Sequence, residues 1–238
     1  MGKKLTQLTI NPTLDSDKQA VLKAEFADYG IVRIFDFLNT EGAEELSRCL
    51  HHDISFNNAF FLNHQNREAS DEQIAQLPIA QRREMYQAIY QLAAQGQGFL
   101  YGRHKASDAS PAIIDEALKL INDEACLSVI KHITGDDDLS HADGQATRYR
   151  VGDFLTRHID NLPSETRKYA YVLGLSPNWH PDWGGLLQMF EPDGTPTQSY
   201  MPKYNSLTLF DVNKVHSVTS IAPFSPASRY SLTGWFRS

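Results

Sequence analysis

Residues 149–161 read YRVGDFLTRHIDN, and the fold is decided by what this stretch is. With the three residues before it, ATRYRVGDFLTRHI (146–159) has the aromatic and β-branched content of a strand. Side chains at i and i+2 of a strand share a face, so His158 and Asp160 are expected to project together. An imidazole beside a carboxylate is either an ion pair or the start of a metal site, and the pair alone does not choose.

Outward toward the C-terminus the text stays in strand and turn language. KYAYVLGL (168–175), GGLLQMF (184–190), NSLTLFDV (205–212), KVHSVTSI (214–221) and SRYSLTGWF (228–236) are short apolar runs. They are separated by NLPSET, SPNWHPDWGG, EPDGTPTQ and APFSPAS, rich in turn formers. That spacing predicts an antiparallel jelly roll. Outward toward the N-terminus the pattern is mostly helical. Asp15 or Ser16 opens a helix with Val21, Leu22, Phe26 and Tyr29 on one face, stopped by Gly30. IVRIFDFL (31–38) and SFNNAFFL (55–62) read as strands, and Thr40 starts a second helix. A capping box at Ser70 to Gln73, a helix over 79–94 and one long helical stretch from Ser110 to Gly135 follow. The expected class is α+β: a double-stranded β-helix, or jelly roll, with packing helices mainly from the N-terminal half. One domain is expected over 1–238, with 1–144 as helical support and first strands and 145–238 as the catalytic core.

His216, in KVHSVTSI, can complete a two-histidine, one-carboxylate set with His158 and Asp160. Such a set occupies one face of a six-coordinate Fe(II) and leaves three positions open. A second His-x-Asp, His141-Ala142-Asp143, lies in the polar stretch DDDLSHADG, where a turn or cap role accounts for it better. Arg229 and Ser231, at i and i+2 of SRYSLTGWF, offer a charged fork and a hydroxyl to a carboxylate such as the distal one of 2-oxoglutarate.

From Tyr149 onward the chain resembles the 2-oxoglutarate and Fe(II)-dependent oxygenases, in their prolyl 4-hydroxylase-like branch. The motifs that carry it are YRVGDFLTRHIDN, WGGLLQMF, KVHSV and RYSLTGWF, in that order. The resemblance implies that His158, Asp160 and His216 are the catalytic metal ligands. It implies that Arg229 and Tyr149, with Ser231 beside them, bind 2-oxoglutarate, and that Gly184-Gly185 opens the strand under the site. Trp235, and Trp183 in the loop before that strand, are candidate substrate contacts. Where some relatives place a co-substrate tyrosine after the His-x-Asp pair, this chain has Gly174, with Tyr169 and Tyr171 as weaker substitutes. The implied reaction consumes O2 and 2-oxoglutarate, with ascorbate as an accessory reductant, and hydroxylates a C–H bond. A prolyl residue in a protein or peptide is the first expectation, a free amino acid or small metabolite the second, and a non-catalytic jelly-roll metal-binding or sensor module the third.

Composition narrows the classes. Twenty-two basic residues against 29 acidic ones give a net charge of −7, which disfavours a nucleic-acid partner. Cys49 and Cys126 form no paired framework and are expected to be reduced, buried thiols. No window is apolar enough to span a bilayer, and the basic start at Met1-Gly2 lacks the apolar region of a secretory signal, so no membrane partner and a cytoplasmic location are expected.

Overall fold

The computed structural model describes residues 7–11 and 14–238; the N-terminal start read above for targeting lies mostly outside the described residues. The helices and strands run in the order α1 (Ser16–Tyr29), β1 (Ile31–Ile34), α2 (Thr40–His52), β2 (Asn57–Leu62), β3 (Gln65–Ala69), α3 (Asp71–Gln76), α4 (Ile79–Ala94), β4 (Phe99–His104), α5 (Ala112–Ile121) and α6 (Glu124–Thr134). Then come β5 (His141–Tyr149), β6 (Phe154–His158), β7 (Arg167–Gly174), β8 (Leu187–Phe190), β9 (Pro196–Tyr200), β10 (Ser206–Asp211), β11 (Val215–Val218) and β12 (Arg229–Arg237).

The helix signals act as local chemistry dictates. The Asp15 carboxylate accepts from the Lys18 amide and Gly30 ends α1 in the left-handed region at φ 60°. Ser70 and Gln73 form the reciprocal capping box of α3. The long helix expected over 110–135 is instead two, because Asp123 accepts from the Ala125 amide and starts a new helix there.

All strands join one curled antiparallel sheet in the order β1-β10-β7-β12-β5-β4-β6-β11-β8-β9, with the β2–β3 hairpin attached to β4. β4 pairs with both β5 and β6 and carries the sheet round the bend, so its two halves face each other as a double-stranded β-helix. The single run expected over 146–159 is broken: Gly152, at φ 85°, turns the chain between β5 and β6. β3 and β9, polar or proline-containing, were not legible as strands, and neither was β4, whose FLYGRH is interrupted by Gly102. The second His-x-Asp was misread as a turn; His141 to Asp143 open β5 and pair with Phe236, Arg237 and Trp235 of β12.

Alternation sorts the side chains of the larger half-sheet. On β12, Leu232 and Phe236 face a core built with Leu46 and Leu50 of α2, Ile114 and Ile121 of α5 and Ile130 of α6. Arg229, Ser231, Thr233 and Trp235 face the opposite way, into the interior of the curl. Tyr171 turns its ring outward against Phe236 and donates its hydroxyl to the Asp143 carbonyl, while Tyr169 packs on Phe26. Cys49 and Cys126 are free and fully buried, and burial pushes their thiols up to about 11 and about 12.

Candidate metal and co-substrate site

His158 ends β6, and His216 of β11 is its direct cross-strand partner, so the two rings lie with centroids 4.2 Å apart. Asp160 sits just beyond the end of β6, not within it, where its amide donates to the Val212 carbonyl. Its two oxygens lie between the histidines, with Oδ1 3.4 Å from His158 Nε2 and Oδ2 3.5 Å from His216 Nε2. One donor atom from each residue falls within 4.8 Å of the others.

Both imidazoles are oriented by backbone. His158 Nδ1 lies 2.9 Å from the Thr156 carbonyl and His216 Nδ1 2.9 Å from the Lys214 carbonyl. A proton on each Nδ1 leaves the Nε2 lone pairs facing Asp160, the arrangement a metal-ligating histidine uses. Burial, reinforced by the neighbouring His158, pushes His216 down to about 4 and keeps it neutral. Burial alone would raise Asp160, but His158 and His216 hold its carboxyl below the usual range. Burial would lower His158, but the Asp160 carboxylate and the Thr156 carbonyl raise it above the usual imidazole range, so a cation bound there would displace a proton; two imidazole nitrogens and an ionised carboxylate then fit a divalent cation of the Fe(II) type.

Arg229 is 5% exposed, and its Nη1 has no hydrogen-bond partner among the described residues. It pairs across the sheet with Tyr149, over whose ring its guanidinium lies 5.3 Å from the centroid. Gly185, at φ 65°, makes room for it: a β-carbon there would press on Ile221 and touch the arginine's Cδ. An unpaired buried cation is costly, so this guanidinium fits the carboxylate of a small anionic ligand. Ser231 points the same way, but its hydroxyl is 2.8 Å from the Thr147 hydroxyl.

A cavity of about 700 Å³ joins these groups, lined by His158, Asp160, His216, Tyr149, Arg229 and Ser231 and also by Trp235. Trp183 is not brought to it; that ring stands edge-on to Trp179, 5.3 Å away. Gly174 is accounted for by sterics, since a side chain there would collide with the Lys203 carbonyl. Sequence reasoning missed Tyr101, which lines the same cavity and stacks on Tyr149 at 5.2 Å and 17°. It missed Thr147 and Gln145 on β5 as well. The alternation of β5 through Tyr149 would have put Thr147 and Gln145 on that face; nothing local marked Tyr101, because β4 was not read as a strand.

Residues 144–237 match the model of the 2OG-Fe(II) oxygenase superfamily. Over 127 residues, half of this chain, the sequence is 32% identical to the prolyl 3-hydroxylase OGFOD1 of Mus musculus, and this match spans 23% of that protein. Among solved structures, a prolyl-4-hydroxylase of Pseudomonas putida superposes with a TM-score of 0.61 at 22% identity, over 92% of this chain and 98% of its own. A prolyl hydroxylase of Trichoplax adhaerens, in complex with a peptide fragment of the hypoxia inducible factor oxygen degradation domain, gives 0.63 at 18% identity, over 93% and 89%. The segment similar to the 2OG-Fe(II) oxygenase superfamily holds both histidines, Asp160, Tyr149 and Arg229, and the curled sheet that carries it has the fold of these prolyl hydroxylase structures.

Proposed function

We propose that this protein is a 2-oxoglutarate- and Fe(II)-dependent dioxygenase that hydroxylates a prolyl residue in a protein or peptide, as a single catalytic domain working in the cytoplasm. The observation that carries it is the pairing, in one cavity, of the His158, Asp160 and His216 cluster with the unpartnered Arg229 guanidinium. A metal-binding module without turnover has no use for the second element. The prolyl assignment is supported by the likeness to prolyl hydroxylases in sequence and in fold.

In this reading His158, Asp160 and His216 hold the iron, and Arg229 receives the distal carboxylate of 2-oxoglutarate through its free Nη1. When bound, the iron and 2-oxoglutarate supply the oxidising chemistry: O2 is consumed, 2-oxoglutarate becomes succinate and CO2, and one oxygen atom enters the substrate C–H bond. Tyr149 presents its ring to Arg229 and fixes the guanidinium; burial pushes its phenol up, so it stays protonated and can donate. Thr147 and Ser231 satisfy each other and line the channel without competing for the arginine. Trp235 at the cavity wall is assigned to the substrate side, and ascorbate to keeping the metal reduced.

The test is purified protein with Fe(II), ascorbate and 2-oxoglutarate, presented with proline-containing peptides and, separately, free proline and other amino acids. A gain of one oxygen on a peptide proline, coupled to succinate, is the expected result. Oxidation of free amino acids alone would move the substrate class, and absence of both succinate release and 2-oxoglutarate binding would overturn the oxygenase reading.

A further inference from the structure

Every buried side-chain atom left without a hydrogen-bond partner among the described residues is an N–H donor, and Arg103, Arg229 and Trp235, three of the residues concerned, line the same cavity. What enters that cavity is therefore selected for acceptors. Charge points the same way. Four arginines line it against two carboxylates, Asp160 and Glu165, in a chain whose net charge is −7.

Three of the four arginines are accounted for. Arg229 is assigned above to 2-oxoglutarate. Arg167 pairs with Glu165 at 2.8 Å, Glu165 also takes Arg237 at 2.7 Å, and Arg237 bonds Asp143 at 2.6 Å, so that network closes with two charges of each sign. Arg157 is exposed and lies over the Phe190 ring, 5.5 Å from its centroid, where water and salt screen it. Arg103 remains.

Alternation along β4 turns Phe99, Tyr101 and Arg103 into the cavity, with Arg103 between Thr147 of β5 and Asn57 of the β2–β3 hairpin. Its Nη2 pairs with Glu68 of β3, but that carboxylate is shared: Lys105 Nζ lies 3.5 Å from the same oxygen. Two cations thus meet one anion, and the buried Nε of Arg103 has no partner among the described residues. A mostly buried guanidinium with a free donor favours a carboxylate over a neutral acceptor. We propose that Arg103 selects the substrate: the peptide carries an aspartate or glutamate close to its target proline, and that carboxylate docks on the Arg103 guanidinium. The inference rests on the prolyl-peptide reading above and adds the chemistry of the flanking sequence. Arg103 touches no reacting atom; it sets how tightly the peptide binds.

The probes are three fluorescein-labelled peptides of equal length with one central proline, flanked on both sides by aspartate, asparagine or lysine. Binding to the full chain is read by fluorescence anisotropy with Mn(II) and 2-oxoglutarate present, and hydroxylation by mass spectrometry with Fe(II). The aspartate peptide is expected to bind about tenfold tighter than the asparagine peptide, by a margin that shrinks as salt rises, and the lysine peptide is expected to bind weakest. Arg103→Met should erase the margin between aspartate and asparagine. Glu68→Gln, which removes the competing carboxylate, should widen it several-fold, a gain that a purely structural Arg103–Glu68 clamp would not give. Equal binding of the two peptides by the wild type, or a margin that survives in Arg103→Met, overturns the inference; hydroxylation of any of the peptides then leaves the prolyl reading standing. Hydroxylation of none, with 2-oxoglutarate still bound, overturns the prolyl reading and the inference with it. Should Arg103→Met not fold, Glu68→Gln decides, and an unchanged margin there overturns the inference.

Discussion

His158 and His216 are direct partners across the β6–β11 pair, and their rings face each other with centroids 4.2 Å apart. The candidate metal cluster is therefore set by a sheet register: a slip of one residue in either strand would turn one imidazole to the opposite face. Asp160, by contrast, is placed by the chain leaving β6, with its amide on the Val212 carbonyl just before β11 begins.

His158→Ala removes one of the three proposed ligands and is expected to abolish Mn(II) binding, whereas His141→Ala should leave it unchanged. His141 is exposed at the far end of β5, its Nδ1 2.8 Å from the Ser140 hydroxyl. Metal titration of the two variants decides between the two His-x-Asp pairs.

Arg229→Met is expected to weaken 2-oxoglutarate binding by at least about 2 kcal/mol, roughly 30-fold in Kd, while sparing the metal. The buried Nη1 has no partner in the ligand-free protein, so the same substitution should hold or raise the melting temperature there. Calorimetric titration with Mn(II) present and thermal melting without ligands read the two effects separately.

Gly234 of β12 stands opposite Gly144 of β5 and Tyr171 of β7. A β-carbon at 234 would run into the Asp143 backbone carbonyl, and one at 144 into the Tyr171 hydroxyl and Leu118. Gly234→Ala should therefore cost about 1–3 kcal/mol, measured by chemical denaturation.

Asp153, buried in the turn between β5 and β6, has its carboxyl pushed up to about 7 by burial, against the opposing Arg150 amide and the charges of Arg150 and Arg148. An unfolded aspartate ionises near pH 3.8, so the folded state holds a proton that the unfolded state has lost between those values. Its stabilising contribution is complete below pH of about 4 and is lost as pH rises through about 7. Asp153→Asn should flatten that part of the pH–stability profile; an unchanged slope would assign it to other groups.

Much of the fold was legible because its signals are local. Alternating apolar residues between turn clusters marked β5 to β8 and β10 to β12, and caps marked α1 and α3. Misreadings came where local chemistry is ambiguous. DDDLSHADG has turn composition, yet its end is drawn into β5 by nine pairings with β12 over His141 to Tyr149. PTQSY is polar and begins with proline, yet it becomes β9 because β8 offers an open edge.

The sequence by itself determined which donors exist and how they are spaced along the chain: His158 and Asp160 two residues apart, His216 and Arg229 later in strands of suitable alternation. Strand context did not separate the two His-x-Asp pairs, since both lie on or at the end of a strand. Only tertiary structure gives the first pair a second histidine beside it. It set His158 against His216, left Arg229 without a counter-ion and stacked Tyr101 on Tyr149. The physical reason is that a strand's period of two fixes only which face a side chain takes. What shares that face with it depends on strand pairings between residues far apart in the chain, and no local preference encodes those.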